Sequence, residues 1–232
     1  MMRQKMIFSE KPSPRQSDRS DAPTLRFSPT AWAKLLFLRD AGDTEVGGFG
    51  ISAADDPLLI EDVQLVRQVC DLASVSFDDD SVADFFDRQV DARVSMARSG
   101  RLWLHTHPGD SPQPSLTDED TFARVFGRTE WALMFILARG GRSYARLRFH
   151  VGPGGDIELP VQVDYTRPFT ASDHEAWLAE YQANVEFWEA LPLARPELAA
   201  VHDPCDDDWL LGWDRLCEEG GFVDKKEQSH AV

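Results

Sequence analysis

The run Arg101-Leu102-Trp103-Leu104-His105-Thr106-His107, then Pro108-Gly109-Asp110-Ser111-Pro112-Gln113-Pro114, then Ser115-Leu116-Thr117-Asp118, decides how this chain is read. Its first part has the apolar character of a strand, and side chains two apart on a strand share one face. His105 and His107 are therefore expected to point the same way. The next seven residues hold three prolines and one glycine, which forbid regular helix and favour a stiff, turning loop. Such a loop can return Asp118 to the two imidazoles. Two neutral imidazole nitrogens and a carboxylate oxygen suit zinc, which takes them at about 2.0–2.2 Å and in a catalytic site leaves its fourth position to water. His105, His107 and Asp118 are thus the candidate metal ligands, with Zn2+ the expected cofactor. Ser115 to Asp118 also reads as a capping box opening a helix through Phe122, Val125 and Phe126. The two readings are compatible, because a helix start can hold a ligand and cap itself.

About sixty residues upstream, Thr44-Glu45-Val46-Gly47-Gly48-Phe49-Gly50-Ile51 places Glu45 at the opening of a short, glycine-rich strand. Hydrolysis at a zinc site needs a base that takes a proton from water and later passes it to the leaving nitrogen, and a carboxylate within hydrogen-bond reach does both. Alone, Glu45 would read as a strand-edge carboxylate; the histidine pattern makes it the candidate base.

Glu45 on an early strand followed by H-x-H-x7-S-x2-D resembles the signature of the JAMM metalloproteases, the active (MPN+) branch of the JAB/MPN family, and every signature position is matched. The Pro-rich wording between His107 and Ser115 is similar to prokaryotic members. The resemblance covers roughly residues 28 to 165. It implies that His105, His107 and Asp118 bind zinc, that Glu45 is the general acid/base, and that Ser115 helps stabilise the oxyanion of a tetrahedral intermediate. It further implies a zinc-dependent isopeptidase or peptidase that cleaves the bond after the C-terminal glycine of a ubiquitin-like protein, with that protein or its conjugate as partner. A JAMM peptidase or amidase on another substrate, and a non-catalytic MPN scaffold, are the alternatives. Intact ligands and Glu45 argue against the scaffold.

The order of elements points to an α/β (α+β) fold, a JAB/MPN-like mixed central sheet flanked by helices with a C-terminal helical appendage. Ser28-Pro29 reads as a helix start, with Trp32, Leu35 and Leu36 as its apolar stripe and Gly42 as its end. Glu45 to Ile51 and Leu58 to Val69 read as strands. Ser81-Val82-Ala83-Asp84 opens a second helix on which Val82, Phe86, Val90 and Val94 recur every four residues. Strands follow near Trp131–Ala138, Ser143–Val151 and Ile157–Tyr165.

Length fits one such domain with extensions: residues 1–27 as a disordered leader rich in proline and serine, 28–168 as the metalloprotease domain, and 169–232 as an acidic helical extension. Residues 171–232 hold 15 Asp and Glu against 4 Lys and Arg, most of the net charge of −16, which makes nucleic acid an unsuitable partner. Within this tail Ser172-Asp173-His174-Glu175 reads as a capping box before an aromatic helical face of Trp177, Tyr181, Val185 and Trp188. Trp209, Trp213 and Leu216 suggest a second helix. These faces can pack internally or dock a conjugation-pathway partner. Cys70, Cys205 and Cys217 are odd in number and lack C-x-x-C spacing, so reduced thiols are expected. The first eight residues lack the apolar run of a secretory signal, and no later run approaches a membrane span, so the expected location is cytoplasmic.

Overall fold

The computed structural model of the protein describes residues 22–187. In chain order the elements are β1 (Leu25–Phe27), α1 (Pro29–Asp40), β2 (Val46–Ser52), β3 (Leu59–Gln64), β4 (Gln68–Cys70), β5 (Val75–Phe77), α2 (Asp79–Asp91), α3 (Met96–Ser99), β6 (Leu102–His107), α4 (Leu116–Phe126), β7 (Trp131–Ala138), β8 (Ser143–Phe149), β9 (Gly155–Glu158), β10 (Val161–Val163), α5 (His174–Asn184) and β11 (Val185–Phe187).

Eight strands form one mixed sheet in the order β10-β1-β3-β2-β6-β7-β8-β9. The histidine strand β6 lies inside it, antiparallel to β2 and parallel to β7. Central position suits sequence: β7 is the near-continuous apolar run WALMFILA, buried at all but its first residue, as a strand covered on both faces must be. The sheet curls because the link from β9 to β10 spans it. Leu159 donates its N–H to Ala145 on β8, while the Pro160 carbonyl accepts from Leu25 on β1. One face packs Leu102, Leu104, Leu133, Phe135 and Leu137 against α1. The other packs Phe49, Trp103, Met134 and Ile136 against Phe85 and Phe86 of α2 and Phe122 and Phe126 of α4. Strand alternation places His105 and His107 on this second face, in line with Trp103.

The N-terminal helix starts as its sequence dictates: Ser28 Oγ accepts from the Ala31 N–H at 3.1 Å and Pro29 occupies the first turn. The second helix starts earlier than expected. Asp78, not Ser81, is its cap, its carboxylate accepting from the Ser81 N–H. Val90 is exposed, and the buried face runs through Val82, Phe85, Phe86 and Gln89. A strict four-residue repeat drifts around a helix of 3.6 residues per turn, so the stripe cannot keep to it.

Several expected boundaries are corrected. Leu58 to Val69 is not one strand: the chain leaves the large sheet after β3 and enters a three-stranded sheet, β11-β4-β5. Ile157 to Tyr165 divides into β9 and β10 at Pro160, which has no N–H to continue a ladder. Residues 25–27, assigned to the leader, are β1, parallel to both β3 and β10 with Leu25 and Phe27 fully buried. In the tail, Asp173 caps α5 in place of Ser172, and Val185 begins β11, parallel to β4, where helix was expected. Trp177 and Tyr181 are buried on the domain, so this part of the extension packs internally. Trp188, Trp209, Trp213, Leu216, Cys205 and Cys217 lie outside the described residues. Cys70 is a buried free thiol. Among the described residues no helix is long and apolar enough to cross a membrane.

Candidate metal centre

The turning loop after β6 delivers Asp118 to the histidines through a helix cap. Ser115 Oγ accepts from the Asp118 N–H at 3.1 Å, and Asp118 Oδ2 accepts from the Ser115 N–H at 2.6 Å. This reciprocal capping box holds Asp118 at the first turn of α4 with its carboxylate aimed back at β6. His105 Nε2 lies 3.2 Å from Asp118 Oδ1 and His107 Nε2 3.5 Å from Asp118 Oδ2. Ligands of a tetrahedral ion with bonds of about 2.1 Å stand about 3.4 Å apart, so these two spacings suit ligands of one metal ion. Trp103 stacks on His105 at 4.5 Å between centroids and fixes its ring plane.

Nitrogen chemistry agrees with the spacings. His107 Nδ1 lies 3.0 Å from the Ser111 carbonyl, which can only accept, so Nδ1 carries the proton in the neutral ring and Nε2 keeps a free lone pair. That Nε2 and both ring nitrogens of His105 are buried without an aligned hydrogen-bond partner. Such groups are uncommon in folded proteins and call for a ligand. His105, His107 and Asp118 are all buried, with ligand atoms within 4.8 Å of one another, and could hold a metal ion.

Glu45 stands beside this trio. Its Oε1 is 3.6 Å from His107 Nε2, and the residue is 5% exposed. Backbone bonds fix the segment that carries it: the N–H groups of Glu45, Val46 and Gly47 donate to the Asp71 carbonyl, Thr106 Oγ1 and Gln68 Oε1 at 3.0, 3.1 and 2.8 Å. Gly47 faces His105 across the ladder. A Cβ there would meet Phe77 Cζ at 3.0 Å and Val75 Cγ1 at 3.2 Å, so the glycine lets β5 close over the strand.

Burial pushes the Glu45 carboxyl up to about 7 against the opposing pull of His107, with the Asp118 and Asp71 charges adding to the rise. Burial also works to raise Asp118, but the adjacent imidazoles of His105 and His107 outweigh it and hold that group well below the usual carboxylate range. His105 is lowered by burial. His107 is raised, because Asp118, the Ser111 carbonyl and Glu45 together overcome its desolvation.

All five residues singled out in the sequence lie at this one place. Ser115 is exposed, and its hydroxyl serves the α4 cap. Sequence reading missed Gln68, Thr106, Asp71 and the Ser111 carbonyl. Thr106 alone had a signal, its place between two same-face histidines turning it to the opposite side of the strand. The chain matches no family model and no curated protein sequence.

Proposed function

We propose that the protein is a zinc metallopeptidase of the JAMM (MPN+) type, with a JAB/MPN fold, that hydrolyses the amide or isopeptide bond after the C-terminal glycine of a ubiquitin-like protein. The observation that carries this reading is the placement of Glu45 Oε1 3.6 Å from His107 Nε2 while the ligand trio is complete without it. A scaffold has no need of a second buried carboxylate there. His105, His107 and Asp118 would hold the ion, which would supply Lewis-acid polarisation of the scissile carbonyl and acidify a water. Glu45, with its carboxyl near 7, accepts the proton of the attacking water and returns it to the leaving nitrogen. Ser115, at the α4 N-terminus, offers its hydroxyl hydrogen to the developing oxyanion while its oxygen keeps the cap.

The open edge of β5 supports an extended substrate. Among the described strands β5 pairs with β4 alone. Hydrogen bonds from Asp71 to the Ser74 carbonyl and from Asp78 to the Arg67 carbonyl set the alternation that turns the peptide groups of Val75 and Phe77 away from β4. An incoming chain can add there as a strand, with glycines at its end passing close to the metal.

The test is a panel of ubiquitin-like proteins fused or conjugated through Gly-Gly, incubated with the zinc-loaded chain. Cleavage after the second glycine is expected. Glu45→Gln should lower turnover by about 10²- to 10⁴-fold with zinc retained, whereas His107→Ala and Asp118→Ala should lose the metal. Failure across the panel alongside cleavage of unrelated peptides, or a Glu45→Gln protein of near-normal activity, overturns the reading.

A further inference from the structure

The strand that follows Glu45 lacks a neighbour where it matters. The β2–β3 ladder runs from Phe49 to Ser52, so Gly47 has no strand on that side. The Gln68 side chain takes its place. Its Oε1 accepts from the Gly47 N–H at 2.8 Å and its Nε2 donates to the Gly47 carbonyl at 2.8 Å, the two bonds a paired strand would make. Nε2 also donates to the Val66 carbonyl at 2.9 Å, and the Cys70 thiol donates to Oε1 at 3.4 Å. All four hydrogen-bonding sites of the amide are used, and the residue is buried. Turning the amide over would set its oxygen against two carbonyls, so the network admits one orientation.

Gly47 and Gly48 put two glycines in succession near the start of β2, and the direction of the Glu45 side chain depends on the dihedrals of this stretch. Resting on the role of Glu45 as acid/base, we propose that Gln68 is a positioning residue: it completes the open edge of β2 at Gly47 and thereby holds the Glu45 carboxylate against His107. The Asp71 carbonyl, bound to the Glu45 N–H, secures the same segment two residues earlier. Gln68 itself belongs to β4, held between β5 and β11, so the small sheet transmits its rigidity to the site through one side chain.

Gln68→Met keeps length and bulk and removes all four bonds. In the zinc-loaded full chain acting on a Gly-Gly fusion, kcat should fall by about 10- to 100-fold, the cost of a misplacement near 1 Å, with KM within about twofold and zinc content unchanged. The loss should multiply with that of Ser115→Ala but vanish in a Glu45→Gln background, where there is no base left to position. A role in packing alone predicts equal loss in both backgrounds, and that result, or an unchanged kcat, overturns the proposal. Gln68→Asn, one methylene too short to reach Gly47, carries the same expectations if the methionine variant does not fold. Two readouts need no activity: Gly47 amide exchange should quicken at least tenfold, and the Glu45–His107 separation of 3.6 Å should lengthen in a crystal structure of the variant. If the parent protein cleaves no fusion, the proposed activity fails by itself, and unchanged exchange and separation would still overturn the positioning role.

Discussion

Glu45 exchanges its solvent for a histidine and two other carboxylates, and that exchange has a measurable sign. Its carboxyl sits near 7 in the folded chain and near 4.3 when unfolded. Between these values the folded state binds the extra proton, so stability is fully present below about pH 4.3 and is lost as pH rises through about 7. In the metal-free protein, Glu45→Gln removes this loss, and the variant should gain thermal stability over the parent at pH 8. The gain corresponds to roughly 3–4 kcal/mol at most and should disappear by pH 4.5. Melting curves of both proteins across that range decide the matter; a gain that is the same at both pH values would show that burial does not hold the proton on Glu45. Residue chemistry of this kind was half legible in the sequence. The spacing of His105, His107 and Asp118 announces itself, because strand alternation and a helix cap are local rules. Gln68 does not, since its partner Gly47 is brought to it only by the docking of one sheet on another.

At the level of elements, the proposed mechanism gives one serine of α4 a second job beside its cap. The Ser115 hydroxyl accepts from Asp118 and is also the proposed oxyanion donor. Ser115→Ala should cost about 1 kcal/mol as a lost N-cap and slow turnover about 10²- to 10³-fold. Ser115→Asp separates the two jobs, since its carboxylate can accept the same N–H but has no hydrogen to give. Stability should return and turnover should not, as read by chemical denaturation beside steady-state rates. Recovery of both would remove Ser115 from the chemistry. Elements whose ends are set by side-chain caps or breakers were readable from the sequence, α1 at Ser28-Pro29 to the residue and α2 and α5, capped by Asp78 and Asp173, to within three residues. Elements whose ends are set by a change of partner were not. Residues 58–69 are apolar enough for the most part to read as one strand, and nothing in that run marks where β3 leaves one sheet and β4 enters another.

For the molecule as a whole, the boundary between domain and extension falls later than composition suggested. Lys34 on α1 is buried and pairs with Asp62 on β3 and with Glu180 on α5. The other Glu180 oxygen accepts the Leu65 N–H at 2.9 Å, where the chain crosses between sheets. Tyr181 lies over Gly42, and β11 pairs with β4, the strand of Gln68. A path of direct contacts therefore runs from α5 through the small sheet to the segment bearing Glu45. Ending the chain before Ala171 would strip the cover of Trp177 and Tyr181, each removal of a buried aromatic costing about 3–5 kcal/mol. It would also leave the Lys34 charge with a single partner and open the β4 edge of the small sheet, whose β5 edge is open already. Such a chain should unfold at much lower temperature and lose zinc under mild dialysis, whereas a chain ending after Phe187 keeps every one of these contacts and should retain both fold and metal. If the shorter chain matches the longer in melting temperature and zinc content, α5 and β11 are dispensable trim, and the rigidity of the Glu45 segment must come from the large sheet alone.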